Sequence, residues 1–335
     1  MSTNFGFLQN EWPQIYESAL KAESSVIPDP GTACFHTRRT LELVMQWLYR
    51  SDSRLHPPYQ QSLSALVHEP TFIQVAGHGI QTKARIIIEH GNRAVHADRR
   101  VVTQENAVAA VRELFHITFW LSRTYARGPK PADTLQFLPV LLPTTSPVPP
   151  ATKAKLQELE TALSAKDAQL SELISGQAAM DAELQQLRAE IAEARKRNEA
   201  APDTHDYNEK ETRDAFIDLM LSEAGWELKQ PQDREYEVSG MPSDSGIGYV
   251  DYVLWGKDGK PLGLVEAKRA RKSPHIGQQQ AKLYADCLES KFGQRPVIFY
   301  TNGYEHWMWN DMEHPPREVS GFYTHDELEL LIQRR

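Results

Sequence analysis

Seven prolines fall between Gly128 and Pro150, at 129, 131, 139, 143, 147, 149 and 150. Proline lacks the backbone N–H and fixes φ, so no helix crosses that stretch. The Thr144-Thr-Ser-Pro-Val-Pro-Pro150 run reads as an extended linker. The chain therefore divides there, and its 335 residues are enough for two or three domains. The period of the apolar residues differs on the two sides of the break, and that difference sets the fold class.

Ahead of the break, 1–128 reads as a helical domain. The span 37–49 places Leu41, Val44, Met45, Leu48 and Tyr49 at helical spacing. The span 106–125 repeats the pattern with Val108, Val111, Leu114, Phe115, Thr118, Phe119 and Leu121. Ile86-Ile87-Ile88 alone would suit a buried strand, but its helical surroundings favour a helix. The span 129–150 is the linker.

The span 151–200 has a different period. Leu156, Leu163, Leu170, Leu184 and Ile191 occupy one position of a seven-residue frame. Leu159, Leu173, Met180, Leu187 and Ala194 occupy a second. Lys166 and Gln177 break the frame, and Gly176 weakens the helix beside one break. This is a coiled-coil pattern, and a continuous helix of that length would reach roughly 70 Å. Its narrow apolar seam favours a helical partner over packing on the chain's own domain. Residues alone do not say whether that partner is a second copy of the chain.

From 206 to 335 the pattern is that of a compact α/β domain with a mixed sheet. A helix over 211–224 ends at Gly225. Strands follow at 248–255 and 261–268, joined by the tight turn 257–260. A helix over 278–291 comes next, then strands at 296–301 and 306–309. The whole is a multidomain α plus α/β chain with a long coiled-coil helix between the two parts.

Composition removes several functions. No apolar run of about 18 residues exists, so no membrane-spanning helix is expected. The opening residues lack a basic segment followed by an apolar one, which leaves the cytoplasm as the expected compartment. Cys34 and Cys287 are the only cysteines and lack metal-ligand spacing, so neither a disulfide framework nor a zinc site is supported. The net charge of −8 excludes a generally basic nucleic-acid coat. It leaves room for a local basic patch. No Gly-x4-Gly-Lys-Ser/Thr phosphate loop occurs, so ATP is not expected to bind this chain by that route.

The chemistry concentrates on the paired strands at 248–268. Each carries an acid, Asp251 and Glu266, and Lys268 stands two positions after the glutamate. Positions i and i+2 of a strand share a face, so Glu266 and Lys268 point together. Paired carboxylates are hard oxygen ligands of the kind Mg²⁺ uses. A nearby ammonium can orient an attacking water and stabilise charge at phosphorus. Glu266 and Lys268 follow the apolar Leu262-Gly-Leu-Val265, and charge at the end of a buried strand needs a reason. An inert, solvated Glu–Lys pair is the alternative. Lys268, Arg269, Arg271 and Lys272 form a basic run that could contact DNA phosphates, or a solvated loop.

Four segments occur in order: Tyr249-Val-Asp-Tyr-Val-Leu254, Leu264-Val-Glu-Ala-Lys268, Gln280-Ala-Lys-Leu-Tyr284 and Phe299-Tyr-Thr-Asn-Gly303. Together with Glu211-Thr-Arg213 and Ala224-Gly-Trp226, they resemble the N-terminal nuclease domain of the restriction (R) subunit of type I restriction–modification enzymes. That domain belongs to the PD-(D/E)xK superfamily, and the resemblance covers about 207–333. It implies a Mg²⁺-dependent DNA endonuclease. Asp251 and Glu266 would be metal ligands, and Lys268 would serve the attacking water. Gln280 and Tyr284 match the family's Gln-x-x-x-Tyr motif, and Glu211 matches the acid on its first helix, a third candidate ligand. Val250 stands where the superfamily's name has proline.

The resemblance further implies double-stranded DNA as substrate, with methyltransferase and specificity subunits as partners. It implies an ATP-driven motor in a longer chain, of which this would be the front end. A non-catalytic DNA-binding or assembly module with a nuclease-like fold is the rival reading. Glu89-His-Gly-Asn-Arg-Ala-Val-His96 resembles part of a helical domain related to the HEPN superfamily, some of whose members are RNases. Arg85 and His90 show an Arg-x4-His spacing that is read as coincidence, and Asn92 and His96 are read as buried structural residues.

Overall fold

A computed structural model describes residues 3–95, 101–144, 152–175, 178–200, 205, 209–242, 246–268, 275–303 and 305–335. The chain forms two compact units, Met1–Tyr207 and Asn208–Arg335.

The first unit is helical: α1 (Pro13–Ser25), α2 (Pro30–Ser51), α3 (Leu63–His68), α4 (Pro70–Val95), α5 (Gln104–Tyr125), α6 (Lys153–Ser175) and α7 (Ala178–Glu199). Local chemistry starts the long ones. Asp29 caps α2 by accepting the Thr32 N–H at 3.1 Å, with Pro30 at the first helical position. Thr103 and Asn106 form a reciprocal capping box at the start of α5. Gly77, at φ +80°, breaks α4 into two helical pieces. The expected helices at 37–49 and 106–125 lie within α2 and α5. The isoleucine triplet is helical, with Ile86 and Ile87 buried in α4. The core is aromatic at its centre, where Phe7 meets Phe115 and Phe119 edge-on at 5.7 and 5.9 Å.

Two expectations are corrected here. The proline-rich stretch is not a free linker over its described part. Leu135 and Phe137 pack on the helical core. The Leu138 N–H donates to Asn4 Oδ1 at 2.7 Å, and Leu142 is buried. The remaining prolines, from 147 on, lie outside the described residues. The heptad stretch 151–200 is likewise packed on the chain itself at both its ends, where a separate helical partner was expected. It is described as α6 and α7; Leu159 of the seam is exposed, and the side chains of Leu170, Leu173 and Met180 lie outside the described residues. Leu156 packs on Phe35 and Val95, with Leu163 beside them. Ile191 and Leu187 join the main core, and Ala194 is fully buried. Buried Asp52 clips α7 down, taking Arg195 at 3.0 Å, Arg54 at 2.9 Å and the Tyr125 hydroxyl at 2.8 Å.

The second unit holds α8 (Glu209–Glu223), β1 (Arg234–Ser239), β2 (Ile247–Trp255), β3 (Pro261–Ala267), α9 (His275–Phe292), β4 (Val297–Thr301), β5 (His306–Trp309), β6 (Arg317–Val319) and α10 (His325–Gln333). The six strands lie in sequence order in one sheet. All neighbours are antiparallel except β3 and β4, which run parallel with α9 between them in the chain. The sheet is therefore mixed, as expected. Gly259, at φ +77°, closes the turn between β2 and β3. On one face, Ala281, Tyr284, Ala285 and Leu288 of α9 bury Val253, Leu264, Ile298 and Tyr300. On the other, Phe299 meets Phe322 at 5.5 Å and Gly263 leaves room for Leu328 of α10. Among the described residues, no helix is long and apolar enough to cross a membrane.

Candidate active site

The register of β2 on β3 pairs Tyr252 with Val265 and Val253 with Leu264. The next step along the ladder brings Asp251 level with the end of β3. There the Asp251 side chain takes over the ladder's role, and its Oδ2 accepts the Ala267 N–H at 2.7 Å. The following N–H, that of Lys268, donates to the Thr301 carbonyl of β4 at 2.7 Å. The peptide carrying the lysine is thus held from both neighbouring strands. The end of a buried strand is fixed where its charged residues begin.

From Lys268 a chain of short hydrogen bonds runs across to α9. Its Nζ donates to Glu266 Oε1 at 2.6 Å and to Gln280 Oε1 at 2.5 Å. Gln280 Nε2 donates to the Tyr284 hydroxyl at 2.6 Å. Gln280 and Tyr284 stand one helical turn apart on a single face, which lets an amide bridge a lysine and a phenol. Burial raises the Tyr284 pKa first. The Gln280 amide and the Tyr249 N–H act against it, and the negative charges of Glu266 and Asp251 add to the rise. Both carboxylates therefore act on one phenol. Glu266 is 3% exposed and Lys268 is half-buried, so their ion pair sits mostly out of water.

Asp251, Glu266, Lys268, Gln280 and Tyr284 are thus brought to one place. Asp251 and Glu266 supply carboxylate oxygens, a donor set suited to Mg²⁺, which binds a few carboxylates and keeps water for its other positions. Glu211 is exposed on α8 and does not close a three-ligand group with Asp251 and Glu266 within 4.8 Å. Among the described residues, one group of three candidate ligands closes within 4.8 Å, namely His325, Asp326 and Glu329 at the start of α10. Arg269, Arg271 and Lys272 lie outside the described residues, so of the basic run only Lys268 has a described place. Sequence reasoning missed Thr301 as the anchor of Lys268. The signal was present in the Phe299–Gly303 segment, whose threonine ends β4 and whose hydroxyl shapes the turn by accepting the Gly303 N–H at 2.9 Å.

In the helical unit, Arg85 and His90 do not form an exposed pair. His90 is buried, and burial lowers its pKa to about 4. Gly91 is a point of close approach: a Cβ there would meet Arg38 Cβ at 2.5 Å, so α4 and α2 touch through it. Asn92 is half-buried instead of buried, and His96 lies outside the described residues.

Comparison with known families gives one match, a family described as "Domain of unknown function (DUF4145)", over residues 21–172. The match runs from α1 through the proline-rich stretch into α6 and leaves the second unit uncovered. No curated protein and no solved structure matches the chain.

Proposed function

We propose that the second unit is a PD-(D/E)xK-type nuclease that hydrolyses phosphodiester bonds of double-stranded DNA, and that the chain serves as the nuclease part of a type I restriction R subunit. The observation that carries this reading is the bonded set Glu266–Lys268–Gln280–Tyr284, closed at the strand end by Asp251. An inert ion pair at a strand end would need neither the glutamine nor the buried phenol. Asp251 and Glu266 would hold Mg²⁺, whose bound charge favours attack at phosphorus. Gln280 and Glu266 fix the Lys268 ammonium, which orients the attacking water and offsets negative charge as the phosphorane forms. Methyltransferase and specificity subunits as partners, an ATP-driven motor elsewhere in the full enzyme, and a cytoplasmic setting all belong to this same proposal. It is tested by restriction of unmodified phage DNA by the complete enzyme. Glu266→Ala and Lys268→Ala are each expected to abolish restriction while leaving modification intact. Restriction equal to wild type in both would overturn the reading.

A further inference from the structure

Two glycines flank the bonded set and are explained by space, not by backbone conformation. Neither Gly248 of β2 nor Gly277 of α9 has a positive φ. Glycine inside a strand or a helix costs about 0.5–1 kcal/mol relative to alanine, so each needs a reason. At Gly277, in the first turn of α9, a Cβ would stand 3.1 Å from Lys268 Cγ, 3.2 Å from Lys268 Cε and 3.3 Å from Glu266 Cγ. At Gly248 a Cβ would stand 2.6 Å from Tyr284 Cε1 and 2.9 Å from Met241 Cγ. One glycine therefore faces the lysine end of the set and the other faces the tyrosine end.

We propose that Gly248 and Gly277 are positioning residues, whose missing side chains let the Glu266–Lys268–Gln280–Tyr284 set close at both ends. Their effect on catalysis rests on the nuclease reading, whereas their effect on Lys268 does not. The two should act unequally. A methyl at 277 crowds a flexible lysine stem, which yields by a few tenths of an ångström. A methyl at 248 meets a buried ring that has nowhere easy to go.

The test uses the full chain, with wild type compared with Gly277→Ala and Gly248→Ala. Each is treated briefly with acetic anhydride, and acetylation of every lysine is followed by mass spectrometry. In both variants Lys268 is expected to label about fivefold faster, the equivalent of one lost hydrogen bond of ordinary strength. Labelling of Lys282 and Lys291, on the same helix, should stay unchanged. Gly277→Ala should not lower the melting temperature, since alanine favours the helix. It therefore keeps the proposal testable if Gly248→Ala fails to fold. In plasmid nicking with Mg²⁺, Gly277→Ala should lower kcat about tenfold or more with KM little changed. Lys268 labelling at the wild-type rate in Gly277→Ala overturns the proposal. So does faster labelling of all lysines together with a lower melting temperature, which would assign the glycines to the fold alone. Equal nicking by wild type and Glu266→Ala would overturn the nuclease reading instead, and Lys268 labelling would still decide the role of the glycines.

Discussion

The most demanding residues of the first unit are charges it buries. Lys83 and Glu113 are almost fully buried and meet at 3.0 Å, with His116 within 3.4 Å of both. Burial raises the Glu113 pKa, but the charge of Lys83 and the bond to His116 outweigh it and hold the carboxyl well below the usual range. Breaking such a pair strands a charge in the core. Glu113→Ala is therefore expected to cost about 3–5 kcal/mol in chemical denaturation. The double replacement Lys83→Met with Glu113→Leu should recover most of that loss. Burial also lowers His36 and His90 to about 4. Each stays neutral when folded but titrates near 6.5 when unfolded. The unfolded chain then binds more protons between those values, so stability falls as pH drops from about 6.5 toward 4. Denaturation midpoints measured across that window should show the fall, and His90→Gln should flatten it. Asp52 behaves in the same sense at lower pH. Burial raises it, but bonds from Arg54 and Tyr125 hold it at about 2, so its contribution disappears only below the ordinary carboxylate range.

At the scale of elements, the second unit was the more legible in sequence, because alternation over 248–255 and the turn at 257–260 leave little freedom in pairing. Glu266 and Lys268 could be placed on one face from strand alternation alone, whereas the place of Asp251 depended on a register that only the structure gives. Strands β1 and β6 and helix α10 were not legible. β1 is broken by Glu235 at φ +46°, and β6 spans only Arg317–Val319. The seven-residue repeat was legible as helix, but not in what covers its two ends. Nothing in Leu156 or Ile191 says whether the covering residue is on another chain, and Asp52, which holds Arg195 of α7, stands far away in sequence. This gives a test. Ile191→Asp is expected to lower the stability of the helical unit by about 2–4 kcal/mol, as loss of core contacts does. It should leave the molar mass in light scattering unchanged. Asp52→Ala should raise amide exchange across α7 selectively, because it removes the anchor of Arg195.

At the scale of the whole chain, the overall acidity and the proposed DNA chemistry are compatible, since the acids that matter are concentrated at one strand end beside a lysine. The family match on 21–172 and the bonded set in the second unit fall on different units, so each can be tested without the other. The central claim is that Asp251, Glu266 and Lys268, supported by Gln280 and Tyr284, cut DNA. The most direct measurement is nicking of supercoiled plasmid with Mg²⁺ by the complete enzyme, for wild type against Glu266→Ala and Lys268→Ala. Nicking by wild type, its loss on chelation of the metal, and a fall of at least about a hundredfold in each variant are predicted. Nicking by both variants at the wild-type rate would contradict the account.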